Sequence, residues 1–148
     1  MKRSCAVVIL LAASFLIASA AYADLRPLFD SIREVESGGD PTVVGDGGRS
    51  IGPYQIKWSY WKDSGVPGSY YQVRDPRYAE RVMVGYWQRY CPDALARGDY
   101  QTLARVHNGG HSGARSGKTV AYWRKVAAGL PDHRAYAMTD PRAGRRHR

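Results

Sequence analysis

The cysteine content is the feature that most restricts how this chain can fold. The 148-residue sequence contains two cysteines, Cys5 and Cys91, which excludes a scaffold held by several disulfides and any four-cysteine zinc site. A chain of this length can bury a hydrophobic core in one domain without covalent cross-links. Its 44% of apolar residues is consistent with such a core and argues against a wholly disordered chain.

The first 23 residues have the pattern of a secretory signal peptide. Two basic residues precede a short apolar run at 5–20, and a small-x-small cleavage site ends at Ala23. The run is short for a membrane span and no second run follows, so we expect secretion, to the extracellular space or the periplasm, without a membrane anchor. Cleavage would leave Cys91 as a lone, small buried residue and lower the formal net charge from +9 to +7.

Hydrophobic periodicity predicts a mainly helical domain at residues 24–130, with one small β-hairpin. A β-prone run at 42–44 leads into the glycine-rich turn sequence 45–48, which is typical of a hairpin. Residues 66–74 are expected to be a loop, and the polar, basic residues 131–148 a flexible tail. The predicted helices span residues 25–36, 75–90, 99–106 and 119–128, with Asp24 and Asp75 as the caps of the first two.

The three glutamates differ in their positions on the predicted helices. Glu34 lies about 155° from the centre of the first helix's apolar stripe, so we expect it, and Glu80, to be solvated. Glu36 lies about 45° from that centre, at the helix C-terminus, where burial and the helix dipole both favour a protonated carboxyl. A general acid needs that form. The simpler alternative is a helix-end carboxylate that reaches water past Ser37.

Asp46 lies ten residues later, in the glycine-rich turn. Asp-Gly is among the commonest turn dipeptides, so this residue alone indicates only a turn. The pair with Glu36 is more informative, because glycoside hydrolysis uses one carboxyl kept protonated in an apolar niche and a second kept ionised in a polar one.

Several sequence blocks occur in a consistent order between residues 32 and 126. They are Glu36-Ser37-Gly38, then Asp46, Gly52-Pro53-Tyr54-Gln55-Ile56-Lys57, residues 60–69, residues 104–110, and Tyr122-Trp123. Together they resemble the invertebrate-type lysozymes, also called the destabilase family. The resemblance implies a lysozyme-like α+β fold and cleavage of the β-1,4 bond between N-acetylmuramic acid and N-acetylglucosamine in peptidoglycan. It implies that Glu36 is the general acid and Asp46 the second carboxylate.

The chain departs from the family pattern around the hairpin. Pro53-Tyr54 replaces the usual Tyr-Phe, and the chain is about one residue shorter on each side of Asp46. Gly39 and Ile51 stand where the family has cysteines, so the hairpin must be held by packing alone, without the several kcal/mol that a cross-link contributes. This pattern suggests a cysteine-poor, bacterial-style member.

The resemblance also implies candidate residues beyond the two carboxyls. Some family members carry an isopeptidase activity attributed to a serine with a lysine or histidine partner, for which the matching positions are Ser50 with Lys57 or His107. His107 is more simply interpreted as a hydrogen-bonded structural histidine, and Lys57 equally as a substrate contact. Residues expected to contact a peptidoglycan or chito-oligosaccharide substrate, through aromatic faces, amides or charge, are Tyr54, Gln55, Lys57, Trp58, Tyr60, His107 and Asn108.

Two other functions remain open at this point. A lytic transglycosylase would use Glu36 alone and release anhydro-sugar ends, and its sequence blocks resemble residues 36–41 and 106–110. A non-catalytic wall-binding or antimicrobial protein would rely on net charge and the basic residues 142–148 to bind an anionic cell wall.

Several other partners are not expected. The four histidines lack a metal-binding spacing, and no phosphate-binding glycine motif is present, so we predict no metal or cofactor. Nucleic acid is not expected, since the basic residues outside the tail are dispersed. We expect a monomer.

Overall fold

The computed structural model describes residues 25–131. Within that range the chain is mainly α-helical with one small antiparallel sheet, which confirms the predicted fold class. The predicted signal segment and all but the first residue of the predicted tail lie outside the described residues. The α-helices are α1 (Arg26–Ser37), α2 (Trp58–Ser64), α3 (Pro76–Tyr90), α4 (Pro92–Arg97), α5 (Tyr100–Gly109) and α6 (Val120–Ala128), and 3-10 turns occupy Asp46–Gly48, Tyr70–Arg74, Gly110–Arg115 and Gly117–Thr119.

Helix α3 begins at the Asp75 cap that the sequence predicts. Asp75 accepts a hydrogen bond from the Tyr78 backbone N–H at 2.8 Å, which starts α3. Asp99 does the same for α5 through the Thr102 N–H at 3.0 Å. Helix α1 ends where Gly38 takes a left-handed conformation at φ +62°.

The predicted hairpin is present, and a third strand extends it. Strand β1 (Val44–Gly45) pairs antiparallel with β2 (Ser50–Ile51), and β2 pairs antiparallel with β3 (Ile56–Lys57). In the second pair, Ser50 lies opposite Lys57. The third strand was not predicted, because two residues are too few to show an alternating pattern.

Short helical pieces are the other difference from the prediction. Helices α2 and α4 were not predicted, and a 3-10 turn occupies the second half of the predicted loop at 66–74. One or two turns are too short to show a helical period. Helix α5 continues to Gly109, three residues beyond its predicted end, so Asn108 lies in its last turn.

Aromatic stacking joins the helices of the core. Phe29 of α1 stacks on Trp87 of α3, with ring centroids 5.7 Å apart. Tyr60 of α2 stacks on Tyr86 of α3, with centroids 3.7 Å apart. Trp87 and Trp123 are both buried in this core.

The prediction that Glu80 is solvated is wrong. Its residue is only 5% exposed, and its two carboxylate oxygens accept hydrogen bonds from Arg26 at 2.7 and 2.8 Å. The Tyr54 hydroxyl donates a third, at 2.8 Å. Glu80 lies at the edge of the α3 apolar face, and α1 together with the segment after β2 covers that edge. The Glu80 carboxylate can be buried there because its charge is paired with Arg26 and both of its oxygens accept hydrogen bonds.

Cys91 is a free cysteine at the end of α3, and it is partly rather than fully buried. Burial raises the pKa of its thiol to about 11, so the thiol is protonated at neutral pH and is a poor nucleophile. None of the helices between residues 25 and 131 has the length and apolar character needed to cross a membrane.

Candidate active site

A cleft of about 530 Å³ lies between the C-terminal ends of α1 and α5, the sheet and α2. A volume of this size accommodates a small-molecule ligand. The cleft contains both predicted carboxylates, together with polar side chains and backbone from each of these elements. Its lining consists of Glu36, Gly45, Asp46, Ser50, Gln55, Ile56, Lys57, Ser59, Tyr60, Asp63, Tyr86, His107, Asn108, Gly109 and Gly110.

Glu36 lies on the last turn of α1 with its side chain only 18% exposed. The Tyr122 hydroxyl donates to Glu36 Oε1 at 2.8 Å, and His107 Nε2 lies 3.5 Å from the same oxygen. Burial, together with the nearby Glu36 charge, raises the pKa of Tyr122, so this hydroxyl keeps its proton and acts as a donor.

The end of α1 is fixed to the segment that follows the sheet's second strand. The Ser37 hydroxyl lies 2.9 Å from the Pro53 carbonyl oxygen and 3.2 Å from the Arg33 carbonyl oxygen. The Gly39 backbone N–H donates to the same hydroxyl oxygen at 3.1 Å. This contact holds the helix end, and with it Glu36, at the edge of the cleft.

Asp46 occupies a more polar position across the same cleft. It lies in the turn after β1 with φ +52°, a left-handed conformation that aspartate tolerates better than most residues. Its side chain is 49% exposed and pairs with Lys57 Nζ at 2.8 Å. The hydrogen bond and the charge of Lys57 lower the pKa of Asp46, which favours the carboxylate form.

Gln55 ties the strands together beneath Asp46. Its amide nitrogen donates to the carbonyl oxygens of Val43, at 3.2 Å, and Gly52, at 2.9 Å. Its amide oxygen accepts from the Ser50 hydroxyl at 3.0 Å. A Cβ at Gly45 would lie 2.1 Å from that amide oxygen, so a side chain here would have to displace the Gln55 amide.

The serine and its candidate partners do not form a nucleophile–base pair in this arrangement. Ser50 lies opposite Lys57 in the sheet, but its hydroxyl donates to Gln55, whereas the Lys57 ammonium pairs with Asp46. His107 Nε2 is 3.2 Å from the Tyr54 carbonyl oxygen and Nδ1 is 3.4 Å from the Tyr60 hydroxyl. His107 therefore has the hydrogen-bonded structural environment that was predicted, and it also lines the cleft beside Glu36.

Comparison with known proteins assigns the family. The sequence model of the Destabilase family matches residues 28–129. The chain belongs to the destabilase family. A lysozyme from Magallana gigas is 37% identical over 79 residues, covering 52% of this chain and 58% of that protein. Lysozyme 1 from Crassostrea virginica is 38% identical over 81 residues, covering 53% of this chain and 44% of that protein.

The fold of this destabilase-family chain is also similar to that of a solved lysozyme. The crystal structure of Tapes japonica lysozyme matches with a TM-score of 0.61 at 30% identity, over 69% of this chain and 87% of that one. The two curated relatives are longer than the matched region, since the chain covers 58% and 44% of their lengths. These matches agree with the resemblance that the sequence blocks indicated.

Two residues predicted as substrate contacts lie outside the cleft lining. Tyr54 is fully buried with its hydroxyl bound to Glu80, so it belongs to the core. Trp58 is 52% exposed on α2, with the Lys62 ammonium 4.8 Å from its ring centroid. Both were predicted as contacts because they are aromatic and close in sequence to the site, but the direction of each side chain depends on the tight turn before β3. The other predicted contacts, which are Gln55, Lys57, Tyr60, His107 and Asn108, line the cleft.

Tyr122 is the residue of this destabilase-family site whose role the sequence did not indicate. It was noted only within the Tyr122-Trp123 block. Its position four residues before the buried Val126 places it on the inner side of α6. That periodicity predicts an inward side chain, but the contact with Glu36, 86 positions away in sequence, requires the tertiary fold.

Proposed function

We propose that this protein is a lysozyme-type glycoside hydrolase that cleaves the β-1,4 bond between N-acetylmuramic acid and N-acetylglucosamine in peptidoglycan. The observation that carries the proposal is the pair of carboxyls in one cleft, in contrasting environments. Glu36 is largely buried, whereas Asp46 is half exposed and pairs with Lys57. Glycoside hydrolysis needs such a difference between its two acids.

In the proposed reaction, Glu36 protonates the glycosidic oxygen as the bond to the anomeric carbon breaks. Asp46, held ionised by Lys57, attacks or stabilises the oxocarbenium-like centre, or positions the water that adds to it. Water supplies hydroxide to the anomeric carbon, and Glu36 recovers its proton. Gln55, Tyr60 and Asn108 are proposed to contact the saccharide from the walls of the cleft.

The main alternative is a lytic transglycosylase, which uses one glutamate and adds no water. The presence of Asp46 in the same cleft as Glu36 supports hydrolysis over that route. The two reactions give different ends, because a transglycosylase leaves an anhydro-muramic acid and a hydrolase leaves a reducing sugar.

Glu36→Gln and Asp46→Asn, assayed on purified peptidoglycan with mass spectrometry of the products, test the proposal. We expect Glu36→Gln to lose at least about a thousandfold in turnover, because it removes the transferable proton. Asp46→Asn should lose about a hundredfold or more. Glu34→Gln is the matched control, since Glu34 lies on the same helix and is exposed, and it should keep wild-type turnover.

The product analysis also separates the alternatives. Anhydro-muramic ends would replace the hydrolase by a transglycosylase. Bacteriolysis that survives Glu36→Gln would instead support a non-catalytic wall-binding protein. Export through the predicted signal at residues 1–23 belongs to the same proposal, and N-terminal sequencing of the protein from the culture medium or periplasm should give Asp24 first.

A further inference from the structure

The hydrogen bonds around Glu36 are distributed unevenly between its two oxygens. The Tyr122 hydroxyl donates to Oε1, and His107 Nε2 lies within ion-pair distance of the same Oε1. Within the part of the chain that the structure describes, no side chain donates to Oε2. The two oxygens of this carboxyl are therefore not equivalent.

The His107 contacts determine which of its nitrogens carries a hydrogen. Nε2 lies 3.2 Å from the Tyr54 carbonyl oxygen, which can only accept, so Nε2 must be protonated in either charge state of the ring. Nδ1 is then free to accept from the Tyr60 hydroxyl at 3.4 Å when the ring is neutral. The Nε2–H is directed at the Tyr54 carbonyl, so His107 lies 3.5 Å from Glu36 Oε1 without a hydrogen bond to it, and Tyr122 is the hydrogen-bond donor to this oxygen.

We propose that Tyr122 is a positioning residue for the general acid. Its hydroxyl holds Glu36 Oε1 as the carbonyl-type acceptor, so that the transferable proton resides on Oε2. The inference rests on the proposed function of Glu36. An oxygen that already accepts a short hydrogen bond is less suited to carry the carboxyl proton than the oxygen that accepts none from the described residues.

A hydroxyl that donates to a carboxyl stabilises its ionised form more than its protonated form. Removal of the Tyr122 hydroxyl should therefore change the pH dependence of the reaction as well as the direction of the transferable proton. The titratable and charged groups that face Glu36 or share its cleft from the surrounding elements are Tyr122 on α6, His107 on α5, Tyr60 and Asp63 on α2, Tyr86 on α3, and Asp46 and Lys57 on the sheet.

Tyr122→Phe tests the proposal through the pH dependence of kcat/KM on peptidoglycan fragments. We expect the alkaline limb to move to higher pH by about one unit, and kcat to fall about tenfold with KM changed less than about twofold. Tyr78→Phe is the matched control. Tyr78 is also buried, but its hydroxyl bonds to Trp61 and the Pro67 carbonyl, so this variant should keep the wild-type alkaline limb.

A second substitution tests the same hydroxyl with its shape retained. Replacing Tyr122 by 3,5-difluorotyrosine makes the hydroxyl a stronger donor, so the alkaline limb should move to lower pH, opposite to Tyr122→Phe. This variant carries the test if Tyr122→Phe does not fold, as judged by its thermal unfolding. The other residues around Glu36, including His107, are the same in the wild type and in each variant, so their effects on the pH profile cancel when the profiles are compared.

The outcomes separate this inference from the proposed function. An alkaline limb that coincides with that of wild type in either folded variant overturns the positioning role of Tyr122, even if Glu36→Gln is inactive. Glu36→Gln with full turnover overturns the proposed function, and the role of Tyr122 with it.

Discussion

At the scale of single residues, the Lys57 ammonium controls the charge of Asp46. It lies 2.8 Å from the carboxylate and lowers its pKa, so Asp46 stays ionised to a lower pH than an isolated aspartate would. Lys57→Met removes both the hydrogen bond and the charge. We therefore expect the acidic limb of the kcat/KM profile to move to higher pH in this variant, because Asp46 becomes protonated earlier as the pH falls.

The matched control for this substitution is Lys62→Met. Lys62 contacts the exposed ring of Trp58 and does not line the cleft, so its loss should leave the acidic limb in place. An acidic limb unchanged by Lys57→Met would mean that Asp46 does not set it. Measurement of both variants on the same soluble fragments keeps the substrate's own titration constant.

The role of each of these residues could be predicted only where its neighbours are close to it in the sequence. Glu36 could be singled out because helix geometry places it near the apolar stripe of its own helix. The pairing of Asp46 with Lys57 could not, since it depends on a two-residue strand whose register no local pattern shows. The Tyr122 contact is further removed still, because it joins the first and last helices of the described chain.

At the scale of elements, the buried Glu80 connects α3 to the start of α1. Arg26 donates to both of its oxygens, and the pair is part-buried because Arg26 is about half exposed. Arg26→Met would leave a buried carboxylate with only the Tyr54 hydroxyl. We expect the free energy of unfolding to fall by about 2 kcal/mol, less than for a fully buried pair, because water can replace part of the lost contact.

Urea unfolding followed by tryptophan fluorescence measures this loss. Arg33→Met is the control, because Arg33 pairs with Asp30 on the exposed side of α1 and should change stability by less than about 0.5 kcal/mol. Equal midpoints for the two variants would show that the Arg26–Glu80 contact contributes no more than a surface pair.

The same contact explains why helix α3 was predicted correctly while the exposure of Glu80 on that helix was not. Helix α3 was predicted from its cap and its apolar period, and both are properties of the helix itself. Burial of Glu80 instead results from α1 and Tyr54 covering the edge of that helix. A helical period locates the centre of a buried face, but the neighbouring elements determine how wide that face is.

At the scale of the whole molecule, packing takes the place of the disulfides that the family resemblance implies around the hairpin. Ile51, at one of those cysteine positions, is buried in the core. Burial of such a side chain contributes about 1.5–3 kcal/mol, which is comparable to the 2–4 kcal/mol of a typical disulfide. The Ser37–Pro53 and Gln55 contacts add polar connections around the same turn. The sheet can therefore hold Asp46 across from Glu36 without a disulfide.

The net charge, which is +9 for the full sequence and +7 after cleavage of the predicted signal, gives a prediction for the molecule as a whole. A cationic protein is attracted to an anionic wall over a distance set by the ionic strength, with a Debye length of about 30 Å at 0.01 M salt and about 10 Å at 0.1 M. Activity on intact cell walls should therefore fall severalfold between 0.01 and 0.2 M sodium chloride.

A neutral chito-oligosaccharide is the matched substrate for this measurement, since it meets the same cleft but has no charge to attract. Its turnover should change by less than about twofold over the same salt range, because the pair of carboxyls acts at short distance, where salt screens little. An equal salt dependence on both substrates would place the effect within the cleft, most simply at the Asp46–Lys57 pair, and not in attraction to the wall. Salt dependence confined to the intact wall would assign the positive charge to capture of the substrate, separate from the chemistry of Glu36 and Asp46.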